Sequence, residues 1–292
     1  MRKNLLAACL LALALGACQS LPTAPSTTPA AAAADDNLNA VLWIQSSAEY
    51  RAVALSVFQA AGARLDQALA DPEWDALDPE ERALAGSAAG LPPAVIVDID
   101  ETVLDNSPYQ ARLIRDGAEY HDDDWEAWVA ERSAAPVPGA LAFARLADSR
   151  GVTVVYLSNR TRASAADTLA NLREAGFPVA NEDAFLGKGT VVEGCAGTGS
   201  DKHCRRLLAG SRYRVLMQFG DQLGDFVADR DTARQARDRL LVRHADWFGE
   251  RWWMLPNPTY GGWEAATFDG DWSQPRERRR AAKHAALRTG PE

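Results

Sequence analysis

The stretch "VIVDIDETVLDN", residues 95–106, constrains this chain more than any other. Val95, Ile96 and Val97 are β-branched and consecutive, the composition of a strand buried on both faces. The run then turns abruptly acidic at Asp98, Asp100, Glu101 and Asp105. Carboxylates this close repel one another unless a cation or a substrate gathers them. The chain therefore has to build a layered core around this strand and place a ligand at its end.

Similar runs recur at "GVTVVYLSN" (151–159) and "YRVLMQFGD" (213–221), with a weaker one at "RWWMLP" (251–256). Helical spacing fills the intervals. Residues 38–70 carry apolar positions three and four apart, which predicts one long amphipathic helix or two. Asp78-Pro79 then has the chemistry of an N-cap followed by a first helical residue. "GALAFARLADSR", "TRASAADTLANLREAG" and "DKHCRRLLAG" also carry helical patterns. Strands alternating with helices predict an α/β fold, a parallel sheet with right-handed crossovers and helices on its faces. Residues 107–138, acid-rich and containing Trp125 and Trp128, break the alternation and form a cap-like insertion over one end of the sheet. With the N-terminal helices, this insertion makes a smaller, mainly helical region.

The chain's start has a different logic. Arg2 and Lys3 precede the short apolar run "LLAACLLALALGA", the pattern of a bacterial export signal over residues 1–17. Its end, Leu15-Gly16-Ala17-Cys18, resembles a lipobox, which implies cleavage before Cys18 and lipid on its thiol; an ordinary secretory signal is the alternative. With Gln19 next, an outer-membrane anchor in a Gram-negative envelope is expected. Residues 18–37, rich in Pro, Thr, Ser and Ala, are then a flexible tether. The folded domain covers 38–275, and 276–292 is a basic tail, more simply a solvated helix than a lipid-headgroup site. Export also bears on the cysteines. Cys9 goes with the signal and Cys18 takes the lipid, which leaves Cys195 and Cys204. In an oxidising compartment that pair favours a disulfide, with two reduced thiols as the alternative. A net charge of −9 argues against a nucleic acid polymer as partner.

Three of the strand runs end in complementary chemistry: Asp98-Ile99-Asp100, Ser158-Asn159-Arg160 and Gly220-Asp221. In parallel sheets ligands sit beyond the carboxyl ends of the strands. Acids from separate strand ends would hold a hard cation through oxygen, and a hydroxyl with a cationic residue suits a phosphoryl group.

These residues carry a family resemblance. "DIDETVLDN" resembles motif I of the haloacid-dehalogenase (HAD) superfamily, "VVYLSNR" motif II, "SDKHCRR" motif III and "GDQLGDF" motif IV, in order. "AVLW", "AEY" and "LPNPTYGGWE" (255–264) are further similar to subfamily IIIB, the class C acid phosphatases and bacterial lipoprotein nucleotidases, so the resemblance covers roughly 38–265. It implies a HAD-like Rossmannoid sheet and an Mg²⁺-dependent hydrolase of phosphate monoesters, among them nucleoside 5′-monophosphates and NMN. Asp98 would be the nucleophile and Asp100 the general acid and base. Asp98, Asp221 and the Asp100 carbonyl would ligate Mg²⁺, with Asp225 behind them. Ser158, Asn159 and Lys202 would hold the phosphoryl group, and Trp125 and Tyr260 would clamp the leaving group. The contrasting expectation is a surface-binding lipoprotein that keeps the fold without turnover. Glu101 and Asp105 remain open between site and capping roles, and a dimer or other oligomer is left open.

Overall fold

In the computed structural model, which describes residues 35–290, the opening apolar run becomes the middle strand of a parallel sheet. Among the described residues the sheet has five strands: β1 (Pro93–Val97), β4 (Thr153–Thr161), β5 (Phe185–Lys188), β6 (Arg214–Gly220) and β7 (Trp252–Met254). Their spatial order is β5-β4-β1-β6-β7, and every pairing is parallel. The chain starts in the centre, builds outward through β4 and β5, then crosses back over β1 to lay down β6 and β7. That reversal opens a crevice at the carboxyl ends of the central strands. Four of these strands follow the apolar runs; β5, four residues with a glycine at its third position, is an addition.

Period-two alternation splits β1 between two cores. Val95 and Val97 face one side, where α2 (Ala48–Ala70) contributes Ala54, Phe58, Ala61 and Leu65 and α6 (Ala140–Ser149) contributes Phe143. Phe58 stacks on Phe219 of β6 at 5.4 Å. Ala94 and Ile96 face the other side, with Ala209 of α8 (His203–Arg212) and Trp252 of β7. α7 (Ala165–Glu174) follows β4, and α9 (Arg234–Arg243) precedes β7.

The long N-terminal pattern resolves into two helices, α1 (Leu38–Ser46) and α2, because Ser47 is extended and its hydroxyl accepts the Tyr50 N–H at 3.0 Å. Asp78 caps α3 (Pro79–Ala85) through Glu80 and Glu81 at 3.0 and 3.3 Å. The insertion is a pair of helices, α4 (Ser107–Asp116) and α5 (Asp122–Ala130). A short antiparallel ribbon closes its base, pairing β2 (Leu104–Asp105) with β3 (Ala135–Pro136). α10 (Gly262–Ala265) follows β7, and α11 (Arg276–Ala285) ends the described fold. Arg276 and Arg280 of α11 pair with Asp35 and Asp36 at 3.4 and 2.9 Å. Among the described residues no helix is long and apolar enough to cross a membrane. The export signal, Cys18 and most of the tether lie outside the described residues.

Candidate active site

Asp98 immediately follows β1, and its backbone N–H donates to Phe219 O at 2.9 Å. Its carboxylate accepts from the Lys202 ammonium and, at 3.2 Å, from the Thr102 hydroxyl. The same ammonium reaches Asp225 Oδ1 at 2.6 Å. Asp221 follows β6 and is steadied by Asn257 Nδ2 at 2.8 Å. Asp225 closes its own turn by accepting the Gln222 N–H at 2.9 Å. It also lies so close over Gly220 that a β-carbon there would come within 2.3 Å of it, so glycine at 220 is what admits Asp225. Asp98, Asp221 and Asp225 each present an oxygen, all within 4.8 Å of one another.

Three carboxylates served by one ammonium leave a surplus of negative charge. Burial pushes Asp98 up to about 7; Lys202 pulls it down, and Asp225 and Asp100 push it up. Asp221 lies well above the usual carboxylate range through burial and repulsion from Asp225 and Asp98. Lys202 is raised, since the pull of burial is more than offset by Asp225 and Asp98. An all-oxygen set with excess negative charge fits a hard divalent cation such as Mg²⁺ better than a soft one.

The Asp100 carboxylate is engaged elsewhere. Its Oδ1 accepts from Asn106 Nδ2 and Arg160 Nε, both at 2.9 Å, and its Oδ2 from Ser158 Oγ at 3.3 Å. Arg160 is fully buried, lies 5.7 Å from the Trp125 ring, and leaves Nη1 without a hydrogen-bond partner. Asn159 Oδ1 is taken by Arg205 Nη2 at 2.7 Å, while Arg205 Nη1 holds the Ser158 carbonyl at 2.5 Å. Glu101 is buried at φ +60°, unusual for a residue other than glycine. It accepts the Asn106 N–H at 3.0 Å and the Tyr260 hydroxyl. Asp105 accepts the Ser107 N–H at 2.8 Å, so it serves the start of α4.

Lys202 stands directly before α8, and the next residues fasten that helix. Cys204 forms a disulfide with Cys195, with a Cα–Cα distance of 5.7 Å. Arg206 is buried on Glu81 of α3 at 2.6 and 2.7 Å and also donates to Gly224 O, in the loop between Asp221 and Asp225, at 2.7 Å. Beside the strand ends lies a cleft of about 570 Å³ whose lining includes Tyr120, Trp125, Asn159, Thr161, Ser164 and Lys188.

A model of a protein family, HAD superfamily, subfamily IIIB (acid phosphatase), matches residues 7–263. The chain belongs to this family. Two structures of the class C acid phosphatase from Bacillus anthracis, one with tungstate bound, are similar to this chain. Each is 29% identical and covers 87% of this chain and 98% of its own, with TM-scores of 0.74 and 0.75. Among curated relatives, Stem 31 kDa glycoprotein of Glycine max is 28% identical and Acid phosphatase 1 of Solanum lycopersicum 26%, each over 56% of this chain. The chain spans 58% and 57% of the length of those two relatives. The parallel five-stranded sheet flanked by helices matches the HAD-like class C acid phosphatase fold. Asn106 and Arg205 have no individual role in the sequence reading, although they lie inside "DIDETVLDN" and "SDKHCRR". Arg160 stands in the sequence as the cation beside Ser158, suited to a phosphoryl group, whereas in the fold its guanidinium is engaged on the Asp100 carboxylate.

Proposed function

We propose that this subfamily IIIB protein is a metal-dependent acid phosphatase that hydrolyses phosphate monoesters through an aspartyl-phosphate. The observation that carries this reading is the convergence of Asp98, Lys202, Asp221 and Asp225 at the sheet's carboxyl edge. Mg²⁺ would be held by the Asp98 and Asp221 carboxylates with the Asp100 carbonyl, Asp225 standing behind them on Lys202, and when bound it would offset the repulsion between two anions. Lys202 and Ser158 take the phosphoryl oxygens, with Asn159 in support. Asp98 attacks phosphorus; the bond to the leaving oxygen breaks, and that oxygen takes a proton from Asp100. Water then attacks the aspartyl-phosphate, returns a proton to Asp100, and releases phosphate and free Asp98.

The preferred esters in this reading are nucleoside 5′-monophosphates or NMN, whose flat rings suit Trp125 and Tyr260. The enzyme works in the envelope, held at the outer membrane by lipid on Cys18; mass spectrometry of the purified protein that found Cys18 unmodified would refute the anchor. The activity is tested with p-nitrophenyl phosphate, with and without Mg²⁺ and chelator. Turnover should vanish with chelator and return with Mg²⁺, and Asp98→Asn should lower kcat by at least about 10⁴-fold, as loss of a covalent nucleophile does. An Asp98→Asn protein turning over at the wild-type rate would overturn the covalent mechanism.

A further inference from the structure

We propose that Asn106 is a positioning residue for the general acid Asp100, and that the insertion helix α5 braces it. The inference rests on the phosphatase reading above. Asp100 Oδ1 accepts two hydrogen bonds, from the Asn106 amide and the Arg160 guanidinium, both at 2.9 Å. An oxygen already serving two donors, one of them cationic, is the wrong one to carry a proton. The exchangeable proton is thereby confined to Oδ2, whose neighbour is Ser158 Oγ at 3.3 Å.

The orientation of the Asn106 amide is itself fixed. Asn106 is fully buried, and its Oδ1 accepts from Trp128 Nε1 at 2.8 Å and from Arg160 Nη2 at 3.3 Å. Flipping the amide would set its NH₂ against those two donors and its oxygen against a carboxylate, so Nδ2 must face Asp100. Trp125 and Trp128 are three residues apart on α5 and share a face. Trp125 lies over the Arg160 guanidinium at 5.7 Å, and Trp128 holds Asn106. Each of the two side chains that grip Asp100 Oδ1 is backed by one tryptophan of the insertion. Loss of the Asn106 amide leaves Oδ1 with Arg160 alone and frees the carboxyl to turn its proton away from the leaving oxygen.

Leaving-group dependence separates this role from a structural one. Nitrophenolate departs with little help from a proton, whereas the alkoxide of glycerol 2-phosphate needs one. The value of kcat/KM reports steps through leaving-group departure, so it isolates the acid step. It is measured on both esters for wild type, Asp100→Asn, Asn106→Ala and Trp128→Phe, with Tm for each. Asp100→Asn should lose far more on glycerol phosphate than on the aryl ester. Asn106→Ala should show the same signature, about 10–100-fold lower on glycerol phosphate and within about threefold on the aryl ester. Trp128→Phe, which removes the N–H and keeps a ring, should shift the ratio in the same direction by a smaller factor. Equal losses on the two esters in Asn106→Ala, beside a selective Asp100→Asn, would overturn the inference and leave the phosphatase reading standing. A non-selective Asp100→Asn would remove the acid role of Asp100 and the inference with it. If Asn106→Ala does not fold, Trp128→Phe decides: an unchanged ratio overturns the proposal.

Discussion

Asp221 shows what a buried carboxylate cluster costs the fold that carries it. Its carboxyl lies well above the ordinary range through burial and the nearness of Asp225 and Asp98. A carboxyl whose pKa is raised on folding stabilises the native state at acid pH, and that stability is lost as pH rises through the folded value. Asp98, pushed up to about 7, obeys the same sign, so the metal-free protein should lose stability between acid and neutral pH from this cluster. Asp221→Asn removes one of the charges. In chelator it should leave Tm unchanged near pH 4 and raise it near pH 8 by about 2–4 °C for each ~1 kcal/mol of repulsion relieved. With Mg²⁺ present the same substitution should lower Tm at pH 8, because a ligand is lost. A Tm difference independent of pH and metal would show that Asp221 is not part of a charged cation site. Asp98, Asp100, Ser158 and Asp221 are legible in the sequence because each follows an apolar run that ends where parallel strands converge, whereas Lys202, in the polar stretch before α8, is legible only through the motif resemblance. Asn106 and Glu101 were harder to place. Their partners, Trp128 and Tyr260, lie 22 and 159 residues away in the chain, and no local pattern encodes those meetings.

At the level of elements, α8 is the part on which the site most depends, since Lys202 is the residue from which it starts. Cys204 ties its first turn to Cys195, Arg205 ties it to the end of β4, and Arg206 ties it to α3 and to the turn after β6. A cross-link over nine residues restricts the unfolded chain by about 2–3 kcal/mol in the loop-entropy account. Its local effect is to fix the loop that delivers Lys202. Reduction under native conditions should therefore lower Tm and raise KM for a phosphate ester several-fold, with a smaller change in kcat. Reduction that lowered Tm and left KM unaltered would confine the disulfide to stability. Helices and strands were legible in proportion to their length and burial: the buried runs of β1, β4 and β6 announced themselves, and Asp78-Pro79 marked the start of α3. β5 did not, because four residues containing a glycine, paired on one side to β4, carry too little β-branched character to stand out.

Across the whole molecule, Trp125 comes from the insertion and Tyr260 from the segment after β7, so a substrate clamp would draw on both ends of the domain. Trp125 lines the cleft beside Asn159, while Tyr260 is tied through its hydroxyl to Glu101. Each stack on a flat base would contribute about 1–3 kcal/mol, roughly a fivefold to hundredfold preference in affinity. The comparison has to hold the leaving group constant, because Trp125 also lies over Arg160 and so bears on Asp100. A nucleoside 5′-monophosphate and glycerol 3-phosphate both release a primary alkoxide and make the same demand on the acid, so their ratio isolates recognition of the ring. Trp125→Ala should lower kcat/KM on both esters through Arg160, and on the nucleotide by a further factor in the range above. Tyr260→Phe keeps the ring and loses the hydroxyl bond to Glu101; Tyr260→Ala loses both. A clamp predicts that the nucleotide preference survives in Tyr260→Phe and falls in Tyr260→Ala. If Phe and Ala depress both esters equally, Tyr260 acts through Glu101 on the turn that follows Asp98, and the aromatic face on the substrate belongs to some other residue.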